Sequence, residues 1–181
     1  CAVLASGRVA CWGYAAWGQL GYSNTNTIGD NEGPATAGAV VLPGGEGAVA
    51  ITAGASHTCV ILESGNVSCW GYNGEGELGI GTTDNVGDNE TPGASDTVDL
   101  PGGKKAVAIS AGPGHTCAIL TDGTVSCWGY NPYGELGYGN TSTIGDDETP
   151  ASAGTVALPG GKKAVAISAG YSYTCAVLSD G

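Results

Sequence analysis

The sequence predicts an all-β chain of propeller blades, and three observations predict it. Seven cysteines, Cys1, Cys11, Cys59, Cys69, Cys117, Cys127 and Cys175, are separated by gaps that alternate between 10 and 48 residues, a fixed period of 58. Glycine fills 34 of 181 positions, which opposes helix, since each helix-interior glycine costs about 1 kcal/mol relative to alanine. The apolar residues alternate at strand spacing, and none recur at helical spacing over a sustained run. Repetition at this length marks a propeller, solenoid or array, in which each unit leans on its neighbours.

The elements follow in order through one repeat. Residues 49–53 (VAITA), 58–62 (TCVIL) and 67–70 (VSCW) read as short strands punctuated by glycine and Asn/Asp clusters. A fourth run, residues 97–100 (TVDL), follows a long polar loop. Four short strands per repeat suit a propeller blade of antiparallel strands. Three periods, residues 1–58, 59–116 and 117–174, are followed by a partial fourth at 175–181. Three blades do not close a ring, so the chain reads as a three-repeat segment of a larger propeller or assembly.

Hairpin geometry accounts for the cysteine spacing. Glu63-Ser64-Gly65 makes a three-residue loop with glycine in the left-handed position, closing on Leu62 and Asn66. Counting back three pairs places Cys59 opposite Cys69 at a non-hydrogen-bonded site, where Cα atoms approach to about 4.5–5.5 Å and a disulfide fits. The same reasoning pairs Cys1 with Cys11 and Cys117 with Cys127. Burial of small apolar thiols in a reducing compartment accounts poorly for an opposed pair that recurs three times. Cys175 has no partner at the matching position within these residues.

Seventeen acidic against five basic residues give a formal charge of −12. That balance disfavours nucleic acid and anionic membranes, both of which need a cationic face. No apolar run approaches the ~18 residues needed to cross a bilayer, and no signal peptide is recognisable.

Residues 69–79 (CWGYNGEGELG) and 127–137 (CWGYNPYGELG), with Ala53-Gly54, His57-Thr58-Cys59 and the Gly65 turn, carry a recognisable pattern. They resemble the repeats of the regulator of chromosome condensation family. The resemblance covers essentially the whole chain and implies four-stranded blades, usually seven to a ring. The longer repeat and the paired cysteines are similar to the bacterial secreted or cell-surface branch. The founder's nucleotide exchange and chromatin binding belong to particular loops and are not carried over.

Candidate sites lie in the loops. Asp30-Asn31-Glu32 recurs as Asp88-Asn89-Glu90 and Asp146-Asp147-Glu148, with oxygen-bearing residues upstream at Asn24, Asn26, Thr82, Asp84, Asn140 and Ser142. Such hard oxygen ligands suit Ca²⁺. The competing reading has each Asp capping its own turn before Pro34, Pro92 or Pro150. His57 and His115 align with Tyr173, so this position needs a ring and one hydrogen bond, not proton transfer. Trp12, Trp70 and Trp128 are expected between blades. Trp17 and Tyr133, aligned with Glu75, are candidate interaction residues alongside Tyr14, Tyr72 and Tyr130.

Pro101-Gly102-Gly103-Lys104-Lys105 lacks the Ser/Thr and helix start of a phosphate loop. Asn66, Asn89 and Asn140 head glycosylation triplets. No catalytic constellation is present, so no enzyme is expected and no cofactor beyond Ca²⁺ is implied. Two functions fit. One is a non-catalytic extracellular or cell-surface propeller segment that binds protein or glycan. The other is a structural subunit that self-assembles with further copies into a fibre, sheath or adhesive appendage.

Overall fold

A computed structural model describes all 181 residues. Ten strands follow one another: β1 (Ala2–Val3), β2 (Val9–Ala10), β3 (Ala48–Ala53), β4 (His57–Leu62), β5 (Val67–Gly71), β6 (Ala106–Ala111), β7 (His115–Leu120), β8 (Val125–Gly129), β9 (Ala164–Ala169) and β10 (Thr174–Leu178). They form four antiparallel sheets, β1-β2, β3-β4-β5, β6-β7-β8 and β9-β10. The two complete sheets straddle the cysteine periods, so one sheet draws on the end of one 58-residue unit and the start of the next. No helix is long and apolar enough to cross a membrane.

The middle strand carries the core. Every residue of β4 and β7 is buried, because each strand has a hydrogen-bonded neighbour on both edges and packed residues on both faces. Its β-branched and apolar side chains suit that place. The turn after β4 has the expected form: Leu62 N–H donates to Asn66 O at 2.8 Å and Gly65 sits at φ 80°. That register places Cys59 against Cys69 and Cys117 against Cys127. Three disulfides, Cys1–Cys11, Cys59–Cys69 and Cys117–Cys127, span Cα separations of 4.0–4.1 Å.

The fourth position of each blade is divided between two extended segments. Val86 bridges Gly71 at one end of β5, and Val98 N–H donates to Val67 O at 2.8 Å at the other. Residues 97–100 therefore lie beside β5 without a continuous ladder. The outer edge is already shared, and Pro101 turns the chain away after Leu100. The Pro-Gly-Gly turns are short 3₁₀ connections into β3, β6 and β9. Lys104 in one of them pairs with Asp122 at 2.9 Å, which leaves this segment as a connection between blades.

Consecutive blades are joined by a buried polar junction. The Thr116 hydroxyl donates to Glu77 O at 3.3 Å, and the Trp128 indole N–H donates to the same carbonyl at 2.9 Å. Since the threonine's only proton is used there, His57 Nε2, 2.8 Å away, donates to Thr116 Oγ1. The histidine is thus the neutral Nε2–H tautomer. The same set recurs as His115, Thr174 and Glu135 O, and as Thr58, Trp70 and Gln19 O. A Cβ on Gly79 would lie 2.8 Å from Trp128 Cδ1, so the glycine is required for the indole to seat. Trp70 and Trp128 are 0% exposed, whereas Trp12 is 46% exposed. Tyr173, at the histidine position, is exposed.

Each disulfide closes a loop of about ten residues. Cys59→Ser with Cys69→Ser is expected to lower the unfolding free energy by about 2–3 kcal/mol, read by urea denaturation. An unchanged midpoint would mean that the bridge adds nothing to the hairpin turn.

Candidate recognition site

The loops that leave the third strands, residues 72–79 and 130–137, are held by one buried asparagine each. Asn73 Oδ1 accepts Leu78 N–H at 2.9 Å, and its amide donates to Thr82 O and Asp84 O at 2.6 and 3.0 Å. Asn131 repeats this with Leu136, Asn140 and Ser142. Both are fully buried. Neither was singled out from the sequence, although their recurrence one period apart was visible; Ala15 at the equivalent place in the first repeat masked it.

The glutamates of these loops face inward. Glu77 Oε2 accepts Glu75 N–H at 2.8 Å and Glu135 Oε2 accepts Tyr133 N–H at 2.9 Å. In the first repeat Gln19 Oε1 accepts Trp17 N–H at 2.9 Å. Burial pushes the Glu77 carboxyl up to about 7, with the neighbouring Glu75 charge adding to it. Burial, followed by repulsion from His115, pushes His57 down to about 4. Burial also lowers His115.

The sequence-selected acidic loops serve their own turns in part. Glu32 Oε1 accepts Gly29 N–H at 3.1 Å and Glu90 Oε1 accepts Gly87 N–H at 2.8 Å. Upstream, Asn24 and Asn140 accept the N–H of Asn26 and Ser142 at 2.9 Å, so these amides shape the backbone. Two features remain unspent. Asp88 Oδ1 is buried without a hydrogen-bond partner, beside a cavity of about 670 Å³ that Thr82, Asp84, Glu90 and Asp96 also line. Asp146, Asp147 and Glu148 bring carboxylate oxygens within 4.8 Å of one another. Burial, with those two aspartates, raises Glu148 to about 7.

The aromatic residues gather at the end of the blades that carries these loops, here termed the upper face. Tyr14, Trp17, Tyr130, Tyr133 and Tyr171 are all exposed there. Trp17 packs edge-on against Tyr72, with ring centroids 5.2 Å apart and planes at 68°. Tyr133 does not join that pair. It borders a separate cleft of about 420 Å³ between the second and third blades, with Glu75, Glu77, Tyr130 and Tyr171. The sequence offered Trp17 and Tyr133 as aligned positions; the structure assigns them to different surroundings.

Comparison with known proteins places this geometry in context. Models of the regulator of chromosome condensation (RCC1) repeat match residues 64–119 and 122–177, and a second such model matches 48–77 and 106–135. The ultraviolet-B receptor UVR8 of Arabidopsis thaliana is 29% identical over 181 residues, covering 99% of this chain and 37% of its own length. The Drosophila melanogaster regulator of chromosome condensation is 44% identical over 82 residues, which is 45% of this chain and 14% of the relative. Human WBSCR16 superposes with a TM-score of 0.74 at 22% identity, covering 98% of this chain and 41% of that structure. Prp20p of Saccharomyces cerevisiae superposes with a TM-score of 0.69 at 17% identity, covering 94% and 39%. That yeast protein is described with its binding to Gsp1p and histones. The chain spans well under half the length of each of these relatives.

Two measurements test the loop anchors. Asn73→Ala strands one N–H and two carbonyls and is expected to cost about 1–3 kcal/mol in unfolding free energy. Glu77→Gln copies Gln19 and keeps the bond to residue 75. A folded-state pKa raised above the unfolded value makes ionisation costly, so stability falls as pH rises from about 4.5 to 7. The variant is therefore expected to melt higher than the parent at pH 8 and equally at pH 4. His57 acts in the opposite direction: its lowered pKa preserves stability above 6.5 and loses it as pH falls toward 4. With Glu77→Gln in place, the acid-side decline, to which His115 also contributes, should persist, while the loss on raising pH shrinks to the part that Glu148 supplies.

Proposed function

This chain belongs to the regulator of chromosome condensation (RCC1) repeat family, and from that premise we propose a non-catalytic recognition segment of an extracellular or cell-surface propeller. Its units are residues 1–58, 59–116 and 117–174 with a further partial repeat at 175–181. The observation that carries the reading is the set of exposed aromatic side chains on the upper face, of which Tyr130 and Tyr133 sit on a loop anchored by the buried Asn131. Large rings held rigidly at a surface lose little entropy when a partner covers them, which is why such residues concentrate binding energy. The partner is a protein or glycan. Three disulfides support an oxidising compartment, and the acidic surface opposes nucleic acid.

The purified protein, applied to arrays of cell-surface proteins and of glycans, is expected to retain partners that Trp17→Ala or Tyr133→Ala releases. Partners unaffected by either substitution would move recognition off the upper face. Continuous filaments under the electron microscope would replace the reading with self-assembly into a fibre.

In the same reading the acidic loops hold Ca²⁺ and are rigidified by it. The unpartnered Asp88 oxygen and the three converging carboxylates of Asp146, Asp147 and Glu148 support this, since clustered hard oxygen donors suit that ion. Calcium at a hundredfold excess over its dissociation constant is expected to raise the thermal midpoint by roughly 5 °C, reversed by chelator. A midpoint indifferent to both would leave the loops as self-capped turns.

A further inference from the structure

We propose that the cleft between the second and third blades binds the cationic side chain of an arginine- or lysine-bearing peptide segment. The proposal rests on the recognition reading above and deepens it by fixing the place and the partner's chemistry. The cleft measures about 420 Å³, large enough for a side chain with part of its backbone and within the range of small-ligand sites.

The chain contains its own comparison. The loop of the first repeat places Trp17 edge-on against Tyr72, so an aromatic ring occupies the space above the second blade. One period later Glu75 stands where Trp17 stood, and Tyr130 stands where Tyr72 stood. The tyrosine has lost its ring partner and gained a carboxylate. The opposite wall changes in parallel: Pro113 and Tyr171 of this cleft align with Ala55 and Pro113 one period earlier. Tyr171 lines the cleft together with Tyr133.

The lining excludes most ligand classes. Glu75 and Glu77 reject an anion, and no lysine, arginine or histidine lies among the lining residues to pair with these carboxylates. An apolar anchor would desolvate the exposed Glu75 without compensation. A guanidinium or ammonium group satisfies both features, since it is drawn to tyrosine faces by the ring quadrupole and to carboxylates by charge. A flat guanidinium also stacks on the rings. Glu77, which burial holds up to about 7, ionises readily once a cation lies beside it. The position is fixed by backbone contacts: Tyr130 N–H donates to Gly114 O at 2.8 Å, and Tyr133 N–H to Glu135 Oε2 at 2.9 Å.

The test uses a fluorescein-labelled octapeptide, Gly-Ser-Arg-Gly-Ser-Arg-Gly-Ser, titrated by anisotropy with the whole protein at 0.15 M salt. Binding is expected to vanish when glutamine replaces both arginines. Tyr133→Ala, Tyr171→Ala and Glu75→Gln should each weaken it about three- to fivefold. Glu75→Trp, which recreates the ring pair of the first repeat, should abolish it while the thermal midpoint is retained. Glu63→Gln removes one equal charge at the far end of the same hairpin and should change affinity less than twofold. Equal losses from Glu63→Gln and Glu75→Gln would overturn the proposal in favour of diffuse attraction to the acidic surface. Retention of the glutamine peptide, or displacement of the arginine peptide by a neutral oligosaccharide that the tyrosine variants also release, would overturn the cationic assignment. If no peptide binds while the arrays yield partners through Trp17, only the cleft assignment falls and the recognition reading stands.

Discussion

Consecutive blades meet at a threonine hydroxyl with three demands on it. Thr116 gives its proton to Glu77 O and receives one from His57 Nε2, while the Trp128 indole shares the same carbonyl. All four groups are buried, so each bond lost would leave a polar atom without water to replace it. The junction draws on three separate stretches of chain: a strand of one blade, the loop that follows its third strand, and the middle and third strands of the next blade. It therefore fixes two things together, the rotation of one sheet against its neighbour and the height at which each loop crosses the blade edge. The disulfide in the first blade of a pair leans on the same atom, with Cys59 Sγ 3.9 Å from Thr116 Oγ1. A short covalent staple within a hairpin is thereby tied to packing between hairpins.

The legible part of the sequence was the part written in local geometry. Cysteines ten apart around a glycine turn determine a hairpin register by counting alone, and the structure follows that count at Cys59/Cys69 and Cys117/Cys127. Strand positions followed from alternation, and burial of Trp70 and Trp128 from their place beside the half-cystines. What stayed illegible depends on backbone atoms or on distant segments. The acceptors of the junction are carbonyls of Gln19, Glu77 and Glu135, and a carbonyl carries no residue signature. Residues 97–100 have strand-like composition, yet the edge they would extend is shared with Val86. The cleft combines loops and turns from two repeats, at residues 75–77 and 113–114 and at 130–133 and 171–172, which no short motif records.

The junction also explains where the repeats are free to differ. Because Gln19, Glu77 and Glu135 contribute their main-chain oxygens, the side chain can change from amide to acid without disturbing the blade contact. Two residues earlier, at Trp17, Glu75 and Tyr133, the side chain takes no part in the junction at all, and three different chemistries appear there. Ala55, Pro113 and Tyr171, in the turn before the histidine position, vary in the same way. Variation thus collects on the upper face, beside positions held nearly constant by buried polar contacts. A rigid frame with changing side chains at fixed coordinates is a means of making unlike surfaces from like repeats.

Long-range charge and local shape then act on different steps of an encounter. A net charge of −12 attracts any cation toward this molecule, but that attraction is screened within about 8 Å at physiological ionic strength and does not distinguish one acidic loop from another. Discrimination needs contacts that act only at short range and with partial exclusion of water. Tyr130, Tyr133 and Tyr171 supply ring surface beside Glu75 and Glu77, whereas the acidic cavity beside residues 88–90 is lined by no aromatic side chain. A ring in place of Glu75, as in the first repeat, would leave the overall field almost unchanged and remove the local fit. Affinity that followed the substitution at residue 75 rather than the total charge would therefore locate recognition in the aromatic cleft, at a position the repeat frame holds still and leaves free to vary.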